Sequence, residues 1–140
     1  MQATAKKQVL AAISAWSRSY RSGDVDAVMA HFAPRSTSLS FGTGADEVAR
    51  GPRALRRQLA RDFAQVDAVS MTVRVKTVDG TGSVAWFAGD CTMRASAGRR
   101  RFVMPGRITG VMVRCGGKWL MEQMHYSMPY TPQAKGSSWA

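Results

Sequence analysis

Residues 102–128 read FVMPGRITGVMVRCGGKWLMEQMHYSM and carry the clearest structural signal in the chain. Two strand-like runs, 102–114 and 118–128, flank the dipeptide Gly116-Gly117, which suits a two-residue turn that needs positive φ. Pro105 and Gly106 interrupt the first run, which favours an edge position or a bulge there. The segment therefore predicts a long antiparallel hairpin.

Two further strands are predicted immediately upstream of this hairpin. Between residues 69 and 76 apolar and polar side chains alternate with a period of two, and Asp79-Gly80 follows as a turn signal. The run 83–95 carries large apolar residues on both of its faces, so we expect something to pack on each side. The second half of the chain is thus expected to be a four-stranded meander.

The first part of the chain has the period of helices instead. Four large apolar residues recur at steps of four, three and four on one helical face: Val9, Ile13, Trp16 and Tyr20. Asp24 is a suitable N-cap for a short second helix, and Gly51-Pro52 begins a third that extends to about Ala64. Short strands are predicted at 38–41 and 47–50. Helices followed by strands indicate an α+β fold with helices on one face of a strongly bent sheet.

Composition limits the classes of protein that this chain can be. With 140 residues, 45% apolar and 21% charged, it has the mix of one globular domain rather than of a disordered, coiled-coil or membrane-spanning chain. The start of the sequence lacks the apolar core of a signal peptide, so the cytoplasm is the expected location. Two cysteines and two histidines without ligand spacing predict no metal site, and no cofactor is expected.

Several short motifs, weak one by one, occur together in a specific order. They are Trp16 and Tyr20 followed by Gly23-Asp24; Phe41-Gly42-Thr43-Gly44 with Glu47 and Gly51; Ala85-Trp86; Arg107 and Thr109; and Trp119, His125, Ser127 and Pro129. With these motifs, residues of about 5 to 129 resemble the SnoaL-like branch of the superfamily of nuclear transport factor 2 and ketosteroid isomerase.

The resemblance implies a cone-shaped α+β domain over residues 1–129, with a loose tail over 130–140. In such a domain N-terminal helices pack on a strongly curved, mostly antiparallel sheet, a cavity opens at the wide end, and the outer sheet face commonly forms a homodimer. Members include isomerases, cyclases, dehydratases, hydrolases and scaffolds, so the fold alone does not assign a function.

The hairpin turn allows a register to be predicted for the last two strands. If Gly116-Gly117 is the whole turn, Met112 lies opposite Met121 and Ile108 opposite His125. Five residues of the last strand then share one face, which the resemblance directs into the cone: Trp119, Met121, Gln123, His125 and Ser127. The opposite face would carry Met124 and Tyr126. A single bulge would reverse part of this assignment.

His125 is the main candidate for acid or base catalysis, because an imidazole titrates near neutrality. Asp90 is a second candidate, since it lies in an otherwise apolar strand where loss of hydration would raise its pKa. The alternatives are a histidine held by hydrogen bonds in the core and a solvated carboxylate at a strand end. Glu47 is expected to pair with an arginine near the start of the third helix.

The remaining pocket candidates are aromatic, sulfur-containing or polar residues expected to line the cone: Trp16, Tyr20, Phe32, Phe41, Trp86, Met104, Met112, Gln123 and Ser127. Gly110 occupies a position where kinase-association relatives carry an arginine, so the resemblance implies that the missing side chain enlarges the pocket beside Gln123.

Three functions remain open at this point. The first is binding of a small organic molecule, acidic or apolar, in a mainly apolar cavity, with isomerase, cyclase or hydrolase chemistry by His125. The second is a non-catalytic module that assembles through its outer sheet face. The third is binding of a polyanion by arginines on the third helix and at residues 99–101, although no motif for reading nucleic acid accompanies them and nucleic acid is not the expected partner.

Overall fold

Three helices and six strands follow one another in the computed structural model, which describes residues 1–139. The helices are α1 (Ala3–Ser19), α2 (Val25–Met29) and α3 (Gly51–Ala64). The strands are β1 (Leu39–Phe41), β2 (Val48–Arg50), β3 (Ala68–Thr81), β4 (Val84–Ala97), β5 (Arg100–Cys115) and β6 (Lys118–Ser127). This order confirms the predicted α+β class.

The helices begin and end where local chemistry predicts. The apolar face of α1 is buried, with Trp16 fully inaccessible, and a 3-10 turn, Tyr20–Ser22, ends at Gly23 with a φ of +62°. The Asp24 carboxylate then caps α2 by accepting a hydrogen bond from the Asp26 N–H at 2.9 Å. No helix within residues 1–139 is both long and apolar enough to cross a membrane.

The six strands form one sheet in the order β2-β1-β6-β5-β4-β3. β1 runs parallel to β6, and every other neighbouring pair is antiparallel. The helices cover one face, where Trp16, Phe87, Ile108 and Met121 belong to a single buried cluster. We call the uncovered side the outer face; it carries Trp86 and Phe41, both partly exposed.

The β5–β6 hairpin follows the predicted register only near its turn. Gly116 and Gly117 have φ values of +54° and +80°, as a two-residue turn requires, and Met112 lies opposite Met121. The register then shifts, because Val111 lies opposite Gln123 and leaves Glu122 as an extra residue in β6. The uniform register predicted from the turn is therefore wrong beyond Met121.

The bulge at Glu122 coincides with a change of neighbour at the edge of β6. Met121 exchanges backbone hydrogen bonds of 2.8 Å with His31 and Ala33, which follow α2. Two residues later, Gln123 pairs with the start of β1. The Glu122 carboxylate lies between these two contacts and accepts a hydrogen bond of 2.9 Å from the Thr37 hydroxyl. The extra residue thus lets β6 pair first with the segment after α2 and then with β1.

The bulge exchanges the faces of the second half of β6. Tyr126 is buried on the inner face with Met124 beside the core, whereas His125 is exposed and lies opposite Thr109. The inward placement predicted for Gln123, His125 and Ser127 is therefore wrong, because one inserted residue inverts side-chain direction. For the same reason Met124 and Tyr126 do not belong to the outer face.

Of the two positions predicted for Pro105, the edge position is confirmed and the bulge is not. The β4–β5 register continues without a shift through Pro105, and β5 pairs with β6 only from Arg107 onward, so Pro105 stands at an edge beyond the end of β6. One turn prediction needs correction. The β3–β4 turn is Gly82-Ser83, two residues after the predicted Asp79-Gly80 signal.

Residues 128–139 contain no helix or strand, and each of them is exposed. The boundary predicted after residue 129 stays a prediction.

Candidate functional site

A cavity of about 210 Å³ lies between α3 and the inner face of the sheet. We call it the inner cavity. Most of its wall is apolar and comes from α3, the connection after it, β3, β4 and β5: Leu55, Leu59, Phe63, Val66, Val69, Met71, Met93, Ala95, Phe102 and Met104. A smaller set of lining side chains is polar: Tyr20, Ser40, Thr43, Glu47, Gln58, Asp62, Gln65 and Tyr126. An apolar wall with a few polar groups is typical of a small-molecule site.

Asp62 is a carboxylate that α3 directs into this apolar wall. It follows Leu55 and Leu59, both buried, by seven and three residues and so shares their helical face. The Gln58 amide donates a hydrogen bond of 2.8 Å to Asp62 Oδ1. Burial raises the pKa of the Asp62 carboxyl, and Glu47 and Asp46 raise it further, while Gln58 and Arg61 act in the opposite direction.

Tyr20, at the C-terminal end of α1, contributes a phenol to the same cavity. Its side chain is held by edge contacts with Trp16 and Phe63, at ring-centroid distances of 5.9 and 6.0 Å. Burial raises the pKa of the Tyr20 phenol above its usual range, and the nearby Asp62 carboxylate raises it further. Within residues 1–139 its hydroxyl donates no hydrogen bond to protein, so a neutral phenol remains available as a donor to a ligand.

The loop between β1 and β2 forms part of the cavity mouth. Glu47 Oε2 accepts a hydrogen bond of 2.9 Å from the Gly44 N–H, which holds the loop closed on itself. Arg61 on α3 contacts Asp46 at 2.6 Å, Glu47 at 3.6 Å and Asp62 at 3.8 Å. The predicted arginine partner of Glu47 is thus found, although it lies in the last turns of α3 rather than near the start.

Tyr126 has a structural role in the opposite wall. Its hydroxyl donates a short hydrogen bond to the Met104 carbonyl, and its ring lies against Gly106, where any β-carbon would collide with it. Burial raises the pKa of the Tyr126 phenol to about 12, so its proton stays in place at neutral pH.

The predicted pocket residues separate into three groups. Tyr20 and Met104 line the inner cavity, as expected. Trp16, Phe32 and Met112 do not line it, because they are packed into the filled core with at most 5% exposure. The third group lies on the outer face, which corrects its predicted position inside the cone: Phe41, Trp86, Gln123, His125 and Ser127.

His125 lies in a separate depression of about 380 Å³ on the outer face, the outer depression. Phe41, Trp86, Thr109 and Gln123 line it together with the imidazole. The six-stranded sheet separates this depression from the inner cavity, so His125 and Asp62 cannot act on the same bound molecule.

Asp90, the second catalytic candidate, also lies on the outer face. Its carboxylate is 3.3 Å from the Lys76 ammonium, and its cross-strand neighbours are Arg74 and Arg107. The side chain is 48% exposed, so the apolar surroundings that the sequence suggested are absent. Its contact with Lys76 is that of a solvated ion pair.

Gly110 does not enlarge a pocket. A β-carbon at this position would lie 2.4 Å from the Phe87 ring and 3.0 Å from Met121 Sδ. The space that the resemblance left open is therefore occupied by core side chains, and Gln123 lies on the other side of the sheet.

Asp62 is not among the site residues predicted from the sequence. The usable signal is an acidic residue at the spacing of the apolar stripe, three positions after Leu59. Among residues 1–139 no group of three or more histidine, cysteine or acidic side chains could hold a metal ion.

Comparison with known proteins agrees with the fold. The family model of the SnoaL-like domain matches residues 9–131. No curated protein matches the chain significantly. Solved structures do match, at identities that establish the fold alone.

One is a candidate dehydratase of the nuclear transport factor 2-like family from Streptomyces avermitilis, with 17% identity and a TM-score of 0.81, covering 91% of this chain and 97% of that one. A candidate scytalone dehydratase from Novosphingobium aromaticivorans has 12% identity and a TM-score of 0.77, with coverages of 88% and 83%. A candidate association domain of calcium/calmodulin-dependent protein kinase II from Xanthomonas campestris has 20% identity and a TM-score of 0.76, with coverages of 87% and 86%.

Proposed function

Because the chain belongs to the SnoaL-like domain family, of nuclear transport factor 2-like fold, we propose that it is a small-molecule enzyme whose inner cavity carries out proton transfer. The proton-transferring group is Asp62, not His125. The reaction class is isomerisation or dehydration of a mainly apolar molecule that carries a carbonyl group.

The observation that supports this proposal is the Asp62 carboxyl in a largely apolar wall, with its pKa raised by burial. A carboxylate with a raised pKa is a stronger base than a solvated one. Gln58 holds one carboxylate oxygen, which leaves the second free to face a ligand.

Tyr20 supplies the complementary group. Removal of a proton beside a carbonyl places negative charge on the carbonyl oxygen, and a neutral phenol can donate a hydrogen bond to that oxygen. The buried Tyr20 hydroxyl has its proton free for this purpose. The proton that Asp62 accepts returns to another carbon in an isomerisation, or to a departing hydroxyl group in a dehydration.

Deuterium exchange into 2-tetralone, a bicyclic ketone small enough for the inner cavity, tests the proposal. Exchange beside the carbonyl is followed by proton NMR in heavy water. We expect the protein to accelerate exchange over buffer, and Asp62→Asn and Tyr20→Phe each to lower the rate by about tenfold or more.

Asp26→Asn is the matched control, because Asp26 is an exposed acid outside the cavity that pairs with Arg56. It should leave the exchange rate unchanged. If 2-tetralone binds and exchange proceeds at the buffer rate, or if Asp62→Asn exchanges as fast as the wild type, the proposed role of Asp62 is wrong.

A second candidate function is assembly through the outer face. Three exposed apolar side chains favour it. Trp86 and Phe41, which line the outer depression, are 46% and 37% exposed, and Val48, opposite Phe41 in the register, is 54% exposed. Sedimentation equilibrium should give the mass of two chains for the wild type and of one chain for Trp86→Glu. Thr72→Glu, on an exposed part of the outer face away from these residues, should stay a dimer. A single-chain mass for the wild type would contradict assembly.

A further inference from the structure

The basic residues of this protein do not line its inner cavity. The sequence has 20 lysines and arginines against 9 acidic residues, and all of the basic residues fall within residues 1–139. None of them lines the inner cavity, whereas Glu47 and Asp62 do. The charged part of the cavity wall is therefore acidic in a strongly basic protein.

The basic residues lie instead on the exterior of the protein. Arg74, Arg94, Arg101 and Arg107 are exposed on the outer face of the sheet, and Arg56 pairs with Asp26 on the surface of α3. They can attract anions to the exterior without offering a partner inside the cavity.

Arg61 contacts two acidic residues of the cavity wall, and its guanidinium is already paired. Its guanidinium contacts three carboxylates, on Asp46, Glu47 and Asp62, within 2.6–3.8 Å. One cation against three anions leaves the mouth with an excess of negative charge. An entering anion would be repelled by these carboxylates, and it would find no free ammonium or guanidinium group there to pair with.

The hydrogen-bonding groups inside the cavity also favour a ligand without negative charge. The free Asp62 oxygen and Glu47 accept hydrogen bonds, and the Tyr20 and Ser40 hydroxyls can donate or accept. A ligand group that donates can pair with the carboxylates, and a neutral acceptor can pair with the hydroxyls, whereas an anionic group would be repelled by the carboxylates in a poorly hydrated site.

We infer that the inner cavity takes a molecule without negative charge, that a hydroxyl or a protonated amine on this molecule strengthens binding by donating to the carboxylates, and that the cavity rejects a carboxylate on the same skeleton. This inference rests on the proposed function, because it takes the inner cavity as the ligand site. The net positive charge of the protein alone would predict an acidic ligand, and the inference is the opposite of that expectation.

Three probes with one ring system test the charge preference: 2-naphthylmethylamine, 2-naphthylmethanol and 2-naphthoate. An apolar cavity of about 150 Å³ accepts a benzene ring, so a bicyclic ring is an appropriate size for this larger one. Calorimetry gives the Kd of the alcohol, and titration of the other two into alcohol-saturated protein shows whether they displace it. Displacement excludes binding to the basic exterior.

We expect the amine to displace the alcohol and to bind several-fold more tightly, and the naphthoate to bind at least about tenfold more weakly than the alcohol. Asp62→Asn and Glu47→Gln should each reduce the ratio of the naphthoate Kd to the amine Kd. Asp26→Asn should leave this ratio unchanged.

Displacement of the alcohol by naphthoate with equal or higher affinity would overturn the inference and leave the cavity as the ligand site. If none of the three probes binds, the inner cavity is not the ligand site, and both this inference and the proposed function are wrong.

Discussion

His125 packs against Phe41 on the outer face of the sheet, with ring centroids 5.2 Å apart and the planes inclined by 48°. The contact joins β6 to β1, which run parallel, and His125 lies directly opposite Phe41 in the register. The imidazole is therefore part of the surface of the sheet and is remote from the inner cavity.

His125→Ala should consequently leave the cavity intact. We expect the Kd of 2-naphthylmethanol, measured by calorimetry, to stay within about twofold of the wild type. Tyr20→Phe removes a donor inside the cavity and should weaken binding by up to about tenfold, as expected for one hydrogen bond. A loss of binding in His125→Ala as large as that in Tyr20→Phe would contradict the separation of the two sites.

Local signals sufficed to predict most of the architecture. The helical period before Tyr20, the Pro at the start of α3 and the Gly116-Gly117 turn each act through neighbouring residues, and all three elements are present. The order of strands within the meander follows from short connections, which make successive strands neighbours.

The bulge in β6 could not be derived from its hairpin partner, because it arises where β6 changes its other neighbour. The chain nevertheless contains a trace of it. Apolar side chains occupy odd positions at Trp119 and Met121 and even positions at Met124 and Tyr126, so the period of two breaks at Glu122. A strand whose apolar phase changes in mid-course indicates a bulge, and this sign would have placed His125 outside the cone.

Gly110 should be intolerant of any side chain. In Gly110→Ala the new methyl group would collide with Phe87 in a filled core, and such overpacking costs about 1–3 kcal/mol. The gain from restricting the unfolded chain, about 0.4–1 kcal/mol, is smaller. Urea unfolding should therefore show a net loss of stability. Thr109→Ala, at the neighbouring outward position, should change stability by about 0.5 kcal/mol or less, and an equal loss in both variants would contradict the packing argument.

The two cysteines should differ sharply in reactivity. Cys91 is fully buried, and burial raises the pKa of its thiol to about 12, whereas Cys115 is partly exposed beside Arg35. At about pH 8 only roughly one in ten thousand Cys91 thiols would be ionised. Ellman's reagent should modify one thiol in the native protein, none in Cys115→Ser, and two in the wild type in urea. Rapid modification of both thiols without denaturant would show that the core around Cys91 opens.

Asp62 should make stability depend on pH in the direction opposite to that of most acidic residues. Its pKa is raised by burial, so between the ordinary carboxyl value of about 3.9 and that raised value the native state holds more protons than the unfolded state. The free energy of unfolding contributed by this group therefore falls as pH rises. At neutral pH the ionised carboxylate is less favourable in the native protein than in the unfolded chain.

Asp62→Asn removes this titration, so its free energy of unfolding relative to the wild type should increase from acid pH toward neutrality. Asp46→Asn is the contrasting variant, because Arg61 lowers the pKa of Asp46. The stabilisation from Asp46 is present above its unfolded pKa and is lost in acid, so Asp46→Asn should lose stability relative to the wild type as pH rises. Urea unfolding at a series of pH values separates the two cases. If the free energy of unfolding of Asp62→Asn and of the wild type changed in parallel with pH, the Asp62 carboxyl would be fully hydrated in the native protein. Asp62 would then lack the raised pKa that its proposed action as a base requires.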